Sequence, residues 1–331
     1  MSNLNVAIVG ATGMVGRTLI RVLEDHKVPV DDLILLASER SAGSTVSFNG
    51  AELTVELLTA EAFDPERFQY ALFAAGGDIS RQYARLAAER GITVIDNSSA
   101  FRMEPEVPLV IPEVNPEALD PGARLIANPN CSTIQSVLPL AVIDDLFHVK
   151  RVIYNTYQAV SGSGVNGTED LERTRRGEAP QFYPRSIADS CLPHIDDFLP
   201  SGYTKEEQKM IDETRKILAK PEIQVTATCV RVPVANGHAV SMNVTCEEPI
   251  DLPRLLDVME AQEGIRVYRE GYPVTEDVNG TDLTLVGRVR MDDSEANTIN
   301  LWCVADNIRK GAAANAVQIL ERMVAGNEGT V

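Results

Sequence analysis

Through residue 127 the chain alternates short apolar runs with stretches of helical period. Residues 5–9, 33–37, 70–74, 93–96 and 125–127 read as strands, each too short for a helix and bounded by turn residues. The clearest helix between them takes Asp78 as its N-cap, places Ile79, Tyr83, Leu86 and Ala87 at helical spacing, and has Gly91 past its end. Strands alternating with helices predict a parallel sheet covered by helices. From about residue 150 the strands lengthen (152–160, 223–234, 240–246, 298–305) and are separated by helices, which predicts a second, α+β domain. Residues 307–325 are helical again, with Ile308, Ala312, Ala316, Ile319 and Met323 on one face, and are expected to return to the first domain. No internal repeat or low-complexity segment interrupts this pattern.

A chain of 331 residues with 44% hydrophobic and 24% charged positions can fill two cores without disulfides or metal. Its 48 acidic against 30 basic residues leave a net charge of −18, which repels nucleic acid and anionic membrane surfaces. Small anions are not excluded, because a few Arg or Lys can dominate the field inside one cleft. The longest uncharged run, 125–143, carries Asn128, Pro129, Asn130, Ser132, Gln135, Ser136 and Pro139, too polar for a membrane span. The opening Met1-Ser2-Asn3-Leu4 leads into a strand without the basic start and apolar stretch of a secretory leader. Five widely spaced cysteines without a C-x-x-C pair point to a reducing cytoplasm and away from a metal site.

Candidate chemistry begins at the first strand, which runs into Gly10-Ala11-Thr12-Gly13-Met14-Val15-Gly16 and then a helix with Val15, Leu19 and Val22 on one face. Glycines at this strand-to-helix turn allow close backbone approach and leave helix N-terminal amides for a pyrophosphate. The competing reading is a tight turn that holds nothing. After the second strand, Ser38-Glu39-Arg40-Ser41 offers hydroxyls and a guanidinium, which favours NADP, while Glu39 keeps NAD open and a solvated polar turn competes with both.

Cys131 follows Asn128-Pro129-Asn130 and opens an apolar-periodic run ending near Phe147, so it sits at a helix start. There the dipole favours a thiolate, and the unpaired amides are expected to bind an oxyanion formed after attack. Pro139 lies within this helix. Cys229, Cys246 and Cys303 fall in apolar strand patterns and read as small buried hydrophobes, whereas Cys191 lies in a loop. Of the four histidines that could serve as base, His26 and His148 follow helical runs and suit helix ends. His194 and His238 remain, and composition does not separate them.

The stretches G-A-T-G-M-V-G at 10–16, N-P-N-C-S-T at 128–133, Y-Q-A-V-S-G-S-G at 157–164 and R-V-P-V-A-N-G-H at 231–238 resemble the aspartate-β-semialdehyde dehydrogenase family, in order over nearly the whole chain. The resemblance implies an α/β protein: a Rossmann-type doubly wound parallel sheet (1–127 with 307–331) and a second α+β substrate and dimerisation domain (128–306). It implies a cytoplasmic homodimer or dimer of dimers that interconverts aspartyl phosphate and aspartate semialdehyde with NADP, through a thioester. The setting implied is biosynthesis of lysine, threonine, methionine, isoleucine and diaminopimelate.

Residue by residue, the resemblance makes Cys131 the nucleophile and His238 the acid/base, with Gln158 orienting the substrate. Arg231 would hold the substrate carboxylate, Glu206 the amino group, and Lys209 and Arg102 phosphate. Cofactor contacts would come from Gly10, Thr12, Gly13, Met14, Val15, Ser38, Arg40, Ser41, Ala75, Ser161, Gly162, Pro193 and Asn307; no metal is implied.

Read without the resemblance, Met210, Ile211, Ile217 and Leu218 mark the buried face of the helix that carries Glu206 and Lys209, and Lys209 reads as a solvated lysine. Arg102 reads as a surface cation and Gln158 as a strand amide. Arg231 and His238, seven apart, would face opposite ways in one strand, but Asn236-Gly237 breaks it. The chain departs from the family at Ala188-Asp189-Ser190-Cys191, where an Ala-Phe-Asn sequence is common, and a carboxylate there is unhelpful to a phosphorylated cofactor unless Asp189 points away. N-acetyl-glutamyl-phosphate reductase and a silent nucleotide-binding relative are the alternatives. An acetylated nitrogen gives Glu206 no purpose, and the presence of both Cys131 and His238 speaks against silence.

Overall fold

A computed structural model describes residues 4–328; the readings made for residues 1–3 and 329–331 lie outside the described residues. The chain forms two compact units, Met1–Pro129 with Ala312–Val331, and Asn130–Gly311.

In the first unit the elements run β1 (Asn5–Val9), α1 (Met14–Asp25), β2 (Asp32–Ala37), β3 (Thr45–Phe48), β4 (Ala51–Thr54), β5 (Glu56–Leu57), β6 (Tyr70–Phe73), α2 (Gly77–Glu89), β7 (Thr93–Asp96) and β8 (Leu125–Ala127). Six of these strands form a parallel sheet in the order β5-β2-β1-β6-β7-β8. Its strand interiors are buried on both faces, which is why they read as continuous apolar runs. Successive strands lie on opposite sides of β1, so the sheet reverses direction at the end of β1 where Gly10 begins the turn. The β3-β4 hairpin and β5 were not expected from the pattern. They are short and mostly exposed, so they lack the apolar signature of a core strand.

Helix α2 begins two residues earlier than expected. Gly76, in extended conformation, is its N-cap, and Asp78 lies in the first turn paired with Arg81 at 2.7 Å. A short turn after β6 leaves Gly76 at the junction, so backbone geometry rather than a capping side chain sets the start. The helix after residue 307 also differs: Arg309–Ala314 is a π-helical turn, and the regular helix spans Asn315–Glu328, with Ala316, Ile319 and Met323 buried in the first unit's core.

The second unit contains α3 (Cys131–Phe147), β9 (Val149–Gln158), α4 (Gly164–Arg175), α5 (Lys205–Ile217), β10 (Gln224–Arg231), β11 (His238–Cys246), α6 (Leu252–Ala261), β12 (Ile265–Tyr268), β13 (Thr284–Met291) and β14 (Thr298–Ala305). A mixed sheet orders these strands β10-β9-β11-β14-β13-β12. β12 and β13 were missed because the first is four residues long and the second alternates charge over its outer half. One face of the sheet is buried, while the other carries Arg151, Ile153, Asn155 and Tyr157 of β9 beside Ser241, Asn243 and Thr245 of β11. Among the described residues no helix is long and apolar enough to cross a membrane.

Candidate active site

The glycine loop is shaped by close approach. Gly10 has φ +84°, and a Cβ there would lie 2.9 Å from the carbonyl oxygen of Ala74. A Cβ on Gly16 would meet the Gly10 oxygen at 2.3 Å, so α1 can pack against the turn only with glycine at that position. Gly13 is the N-cap of α1 and brings no side chain to its amides, which leaves the first turn, with Met14 and Val15, suited to an anion. The Thr12 hydroxyl donates to Ser41 Oγ at 3.0 Å, tying the glycine loop to the turn that carries exposed Ser38 and Arg40. Uncapped amides beside these hydroxyls and the guanidinium fit a dinucleotide. A second glycine turn, Gly76-Gly77, opens α2 just after Ala75, again without a capping side chain. That turn was overlooked, although Gly-Gly directly after an apolar run was its signal.

Cys131 is the first residue of α3 and half-buried. Asn130 caps the helix: its Oδ1 accepts from the amides of Ser132 (2.9 Å) and Thr133 (3.3 Å), and its carbonyl accepts from Ile134. These amides are therefore occupied, and the expectation that they bind an oxyanion is corrected. A Cβ on Gly311 would sit 2.7 Å from Cys131 Cβ, so the π turn presses its glycine against the cysteine. Cys229, Cys246 and Cys303 are buried, and burial, the main cause, pushes all three thiols up. Cys191 is exposed.

Two hydrogen-bonded groups meet at the C-terminal end of β9. In the first, Glu206 is 5% exposed at the start of α5; its Oε1 accepts from Asn130 Nδ2 (2.9 Å) and Gln158 Nε2 (3.2 Å), and its Oε2 faces Lys209 Nζ at 3.2 Å. Burial alone would raise the Glu206 pKa, but Lys209, Asn130 and Gln158 together hold it below the usual value. Lys209 is no solvated lysine, because the loop through Asp196 folds beside it and Asp196 Oδ2 lies 2.8 Å from Nζ.

In the second group, the amide of Ala159 donates to His238 Nδ1 at 3.1 Å. His238 is completely buried, and burial first, then the Arg231 charge, holds its pKa well below the ordinary value. A neutral ring whose Nδ1 accepts must carry its proton on Nε2, so Nε2 donates, which narrows the acid/base role. Arg231, 4% exposed, donates from Nη1 to Ala159 O at 2.7 Å, while its Nε and His238 Nε2 are buried without partners among the described residues. A Cβ on Gly162 would come within 2.9 Å of Arg231 Nη1 and 3.1 Å of His238 Nε2, so Arg231 and His238 converge beside this glycine, as the break at Asn236-Gly237 allows. Gln135, one turn beyond Cys131 on the same face of α3, donates from Nε2 to His238 O at 3.2 Å.

Gly237 N donates to Asn307 Oδ1, and Asn307 Nδ2 donates to Ser161 Oγ, which gathers Ser161, Gly162 and Asn307 near His238. Exposed Pro193 follows Leu192, which bridges to Arg231 through two backbone hydrogen bonds. Asp189 is exposed and accepts from Ser186. His194 is exposed and stacks on Phe198, whereas His26 and His148 cap the ends of α1 and α3. Arg102 belongs to the first unit and is not a surface cation: it is buried, donating from Nε to Asn128 O and from Nη2 to Asn97 O, both at 2.8 Å. These carbonyls, turned inward past the ends of two strands, drew the guanidinium in, which hydropathy does not register.

This geometry matches known proteins over nearly its full length. Residues 5–121 match the semialdehyde dehydrogenase NAD binding domain, and residues 139–310 match the semialdehyde dehydrogenase dimerisation domain. The chain is 49% identical to aspartate-semialdehyde dehydrogenase 2 of Vibrio cholerae, covering 97% of each chain. It is 48% identical to the Aquifex aeolicus aspartate-semialdehyde dehydrogenase, covering 96% and 97%. A crystal structure of the Vibrio cholerae aspartate semialdehyde dehydrogenase II complexed with ASA superposes with a TM-score of 0.94 at 47% identity, covering 98% of this chain and 99% of that one. The fold and site thus define a semialdehyde dehydrogenase. The chain belongs to the aspartate-semialdehyde dehydrogenase family.

Proposed function

We propose that this protein interconverts L-aspartate-4-semialdehyde and L-aspartyl-4-phosphate, using NADP and phosphate, in amino-acid biosynthesis in the cytoplasm. The observation that carries the reading is the pair of buried donors without partners among the described residues, Arg231 Nε and His238 Nε2, in the unit that holds Cys131 at the start of α3. Buried donors of this kind call for an anionic ligand.

The helix dipole at α3 favours the Cys131 thiolate, which attacks the aldehyde carbon and leaves an alkoxide. His238 Nε2–H donates to that oxygen, and no proton has to move before the aldehyde hydrogen departs. Bound NADP supplies a hydride acceptor in this direction and a donor in the other. Phosphate then attacks the Cys131 thioester, the C–S bond breaks, and aspartyl phosphate leaves with the thiolate restored. Arg231 offers the planar fork for the substrate carboxylate. Gln158 is held beside the site by Glu206 Oε1; Glu206 Oε2, shared with Lys209, is assigned to the substrate amino group, and Lys209 and Arg102 take phosphate. The Vibrio cholerae and Aquifex aeolicus relatives do not favour an N-acetyl-glutamyl substrate.

Thr12, Ser38, Arg40 and Ser41 support NADP over NAD. The match to a dimerisation domain and the open face of the mixed sheet support a homodimer paired through that face.

The test is the rate of NADP reduction by aspartate semialdehyde as phosphate is varied. A saturable phosphate requirement is expected, with turnover of Cys131→Ser lowered at least about a thousandfold and NADP affinity kept. Phosphate-independent turnover, or an active serine variant, would end this reading.

A further inference from the structure

The Lys209 ammonium stands between two carboxylates of different character. Glu206 is buried and committed, since its Oε1 already holds Asn130 and Gln158. Asp196 also reaches Nζ, at 2.8 Å; its side chain is 34% exposed, and its other oxygen, Oδ1, accepts the neighbouring amide of Asp197. One positive charge thus faces two negative ones, and only one of the two can leave without breaking a buried network. Asp196 has φ +67°, a left-handed conformation that a non-glycine residue adopts at a cost, so the loop carries the carboxylate to Lys209 by design of the backbone. The segment is pinned at its next residue, where Asp197 accepts from both the backbone amide and the ammonium of Lys205 at the start of α5.

We propose that Asp196 is a tethered stand-in for phosphate: it occupies the exchangeable side of Lys209 in the absence of the anion and is displaced when phosphate binds. This rests on the reading of Lys209 as a phosphate ligand. Glu206 stays beside Lys209 throughout, and exchange of one anion for another keeps the half-buried ammonium between two anionic groups in both states. The cost is competition. A carboxylate that must be displaced weakens phosphate, and Asp196 thereby sets the phosphate concentration at which the enzyme saturates. Nothing comparable opposes the semialdehyde, whose carboxylate is assigned to Arg231.

Saturation curves for phosphate and for semialdehyde test this in the wild type, Asp196→Asn, Lys209→Ala and the double variant. Asp196→Asn should lower the KM for phosphate about two- to fivefold, the worth of a half-exposed ion pair, and move the semialdehyde curve less. Lys209→Ala should raise it, and in that background Asp196→Asn should add no gain, because the cation being competed for is gone. A raised phosphate KM in Asp196→Asn makes the aspartate a support for Lys209 and overturns the proposal, as does an unchanged one. If Lys209→Ala leaves the phosphate curve unmoved, the phosphate role of Lys209 itself fails and takes the proposal with it. Should Asp196→Asn turn over too slowly for kinetics, calorimetric titration with inorganic phosphate decides instead: tighter binding supports displacement and weaker or equal binding refutes it.

Discussion

A buried imidazole that accepts a backbone amide at Nδ1 has one position left for its proton, and this makes His238 useful at constant charge. The sign of its pH effect follows from the lowered pKa. The unfolded chain binds a proton on this ring near the ordinary value of about 6.5, whereas the folded chain does not, so stability present above that pH is lost as pH falls below it. The slope is that of at most one proton taken up by this ring on unfolding. His238→Gln keeps an N–H donor and lacks the titration, so its stability should fall less steeply between about pH 6.5 and 5 than that of the wild type. Parallel denaturation curves for the two proteins across that range would refute the buried neutral ring. Cys131, Arg231 and His238 were legible as motif residues, but the tautomer was not, since it depends on the Ala159 amide just past the end of β9. Lys209 was misread without the resemblance because a helical wheel locates a side chain on its own helix. It says nothing of a loop such as that through Asp196, which arrives from elsewhere in the chain.

At the level of elements, the start of α3 joins catalysis to packing through one side chain. Asn130 caps the helix with Oδ1 and gives Nδ2 to Glu206, while its own amide donates to Glu213 at 2.7 Å. The two side-chain functions separate on substitution. Asn130→Ser can still cap the helix but is too short to reach Glu206, so it should cost about 1.5–3 kcal/mol, the range for a hydrogen bond to a charged group. Asn130→Asp keeps the cap and turns a carboxylate toward Glu206, and it should be the less stable of the two. Chemical denaturation ranks them, and an aspartate variant as stable as the serine one would place Glu206 outside the network. The helix itself was plain in the apolar run after Cys131, as was the glycine turn before α1. The π turn at Arg309–Ala314 was not, because its residues fit an ordinary helical pattern and only the packing of Gly311 on Cys131 distinguishes it. β3, β4 and β5 escaped for the opposite reason: exposed edges have no hydrophobic period to read.

For the whole molecule, charge opposes the proposed assembly. Each chain carries −18, so two copies repel at long range, and association has to come from a face that is itself low in charge. The open side of the mixed sheet meets that need. Along β9, β11 and β14 it presents Ile153, Asn155 and Tyr157, then Ser241 and Asn243, then Asn300 and Trp302, and the rings of Tyr157 and Trp302 lie 5.5 Å apart. Ser241 lies between Asn155 and Trp302 across the central strand, where a long cation would be trapped against the second copy without a partner. Ser241→Arg should therefore convert the dimer to a monomer in sedimentation velocity while the fold, followed by circular dichroism, survives. The wild-type dimer should in turn tighten as ionic strength rises from about 0.01 to about 0.15 M, because salt screens the repulsion between like-charged bodies and leaves the contact of uncharged side chains in place. A dimer that loosens over that range would mean that attraction between opposite charges holds it, and the open sheet face, with Arg151 and Arg290 at its margins, would be the wrong surface.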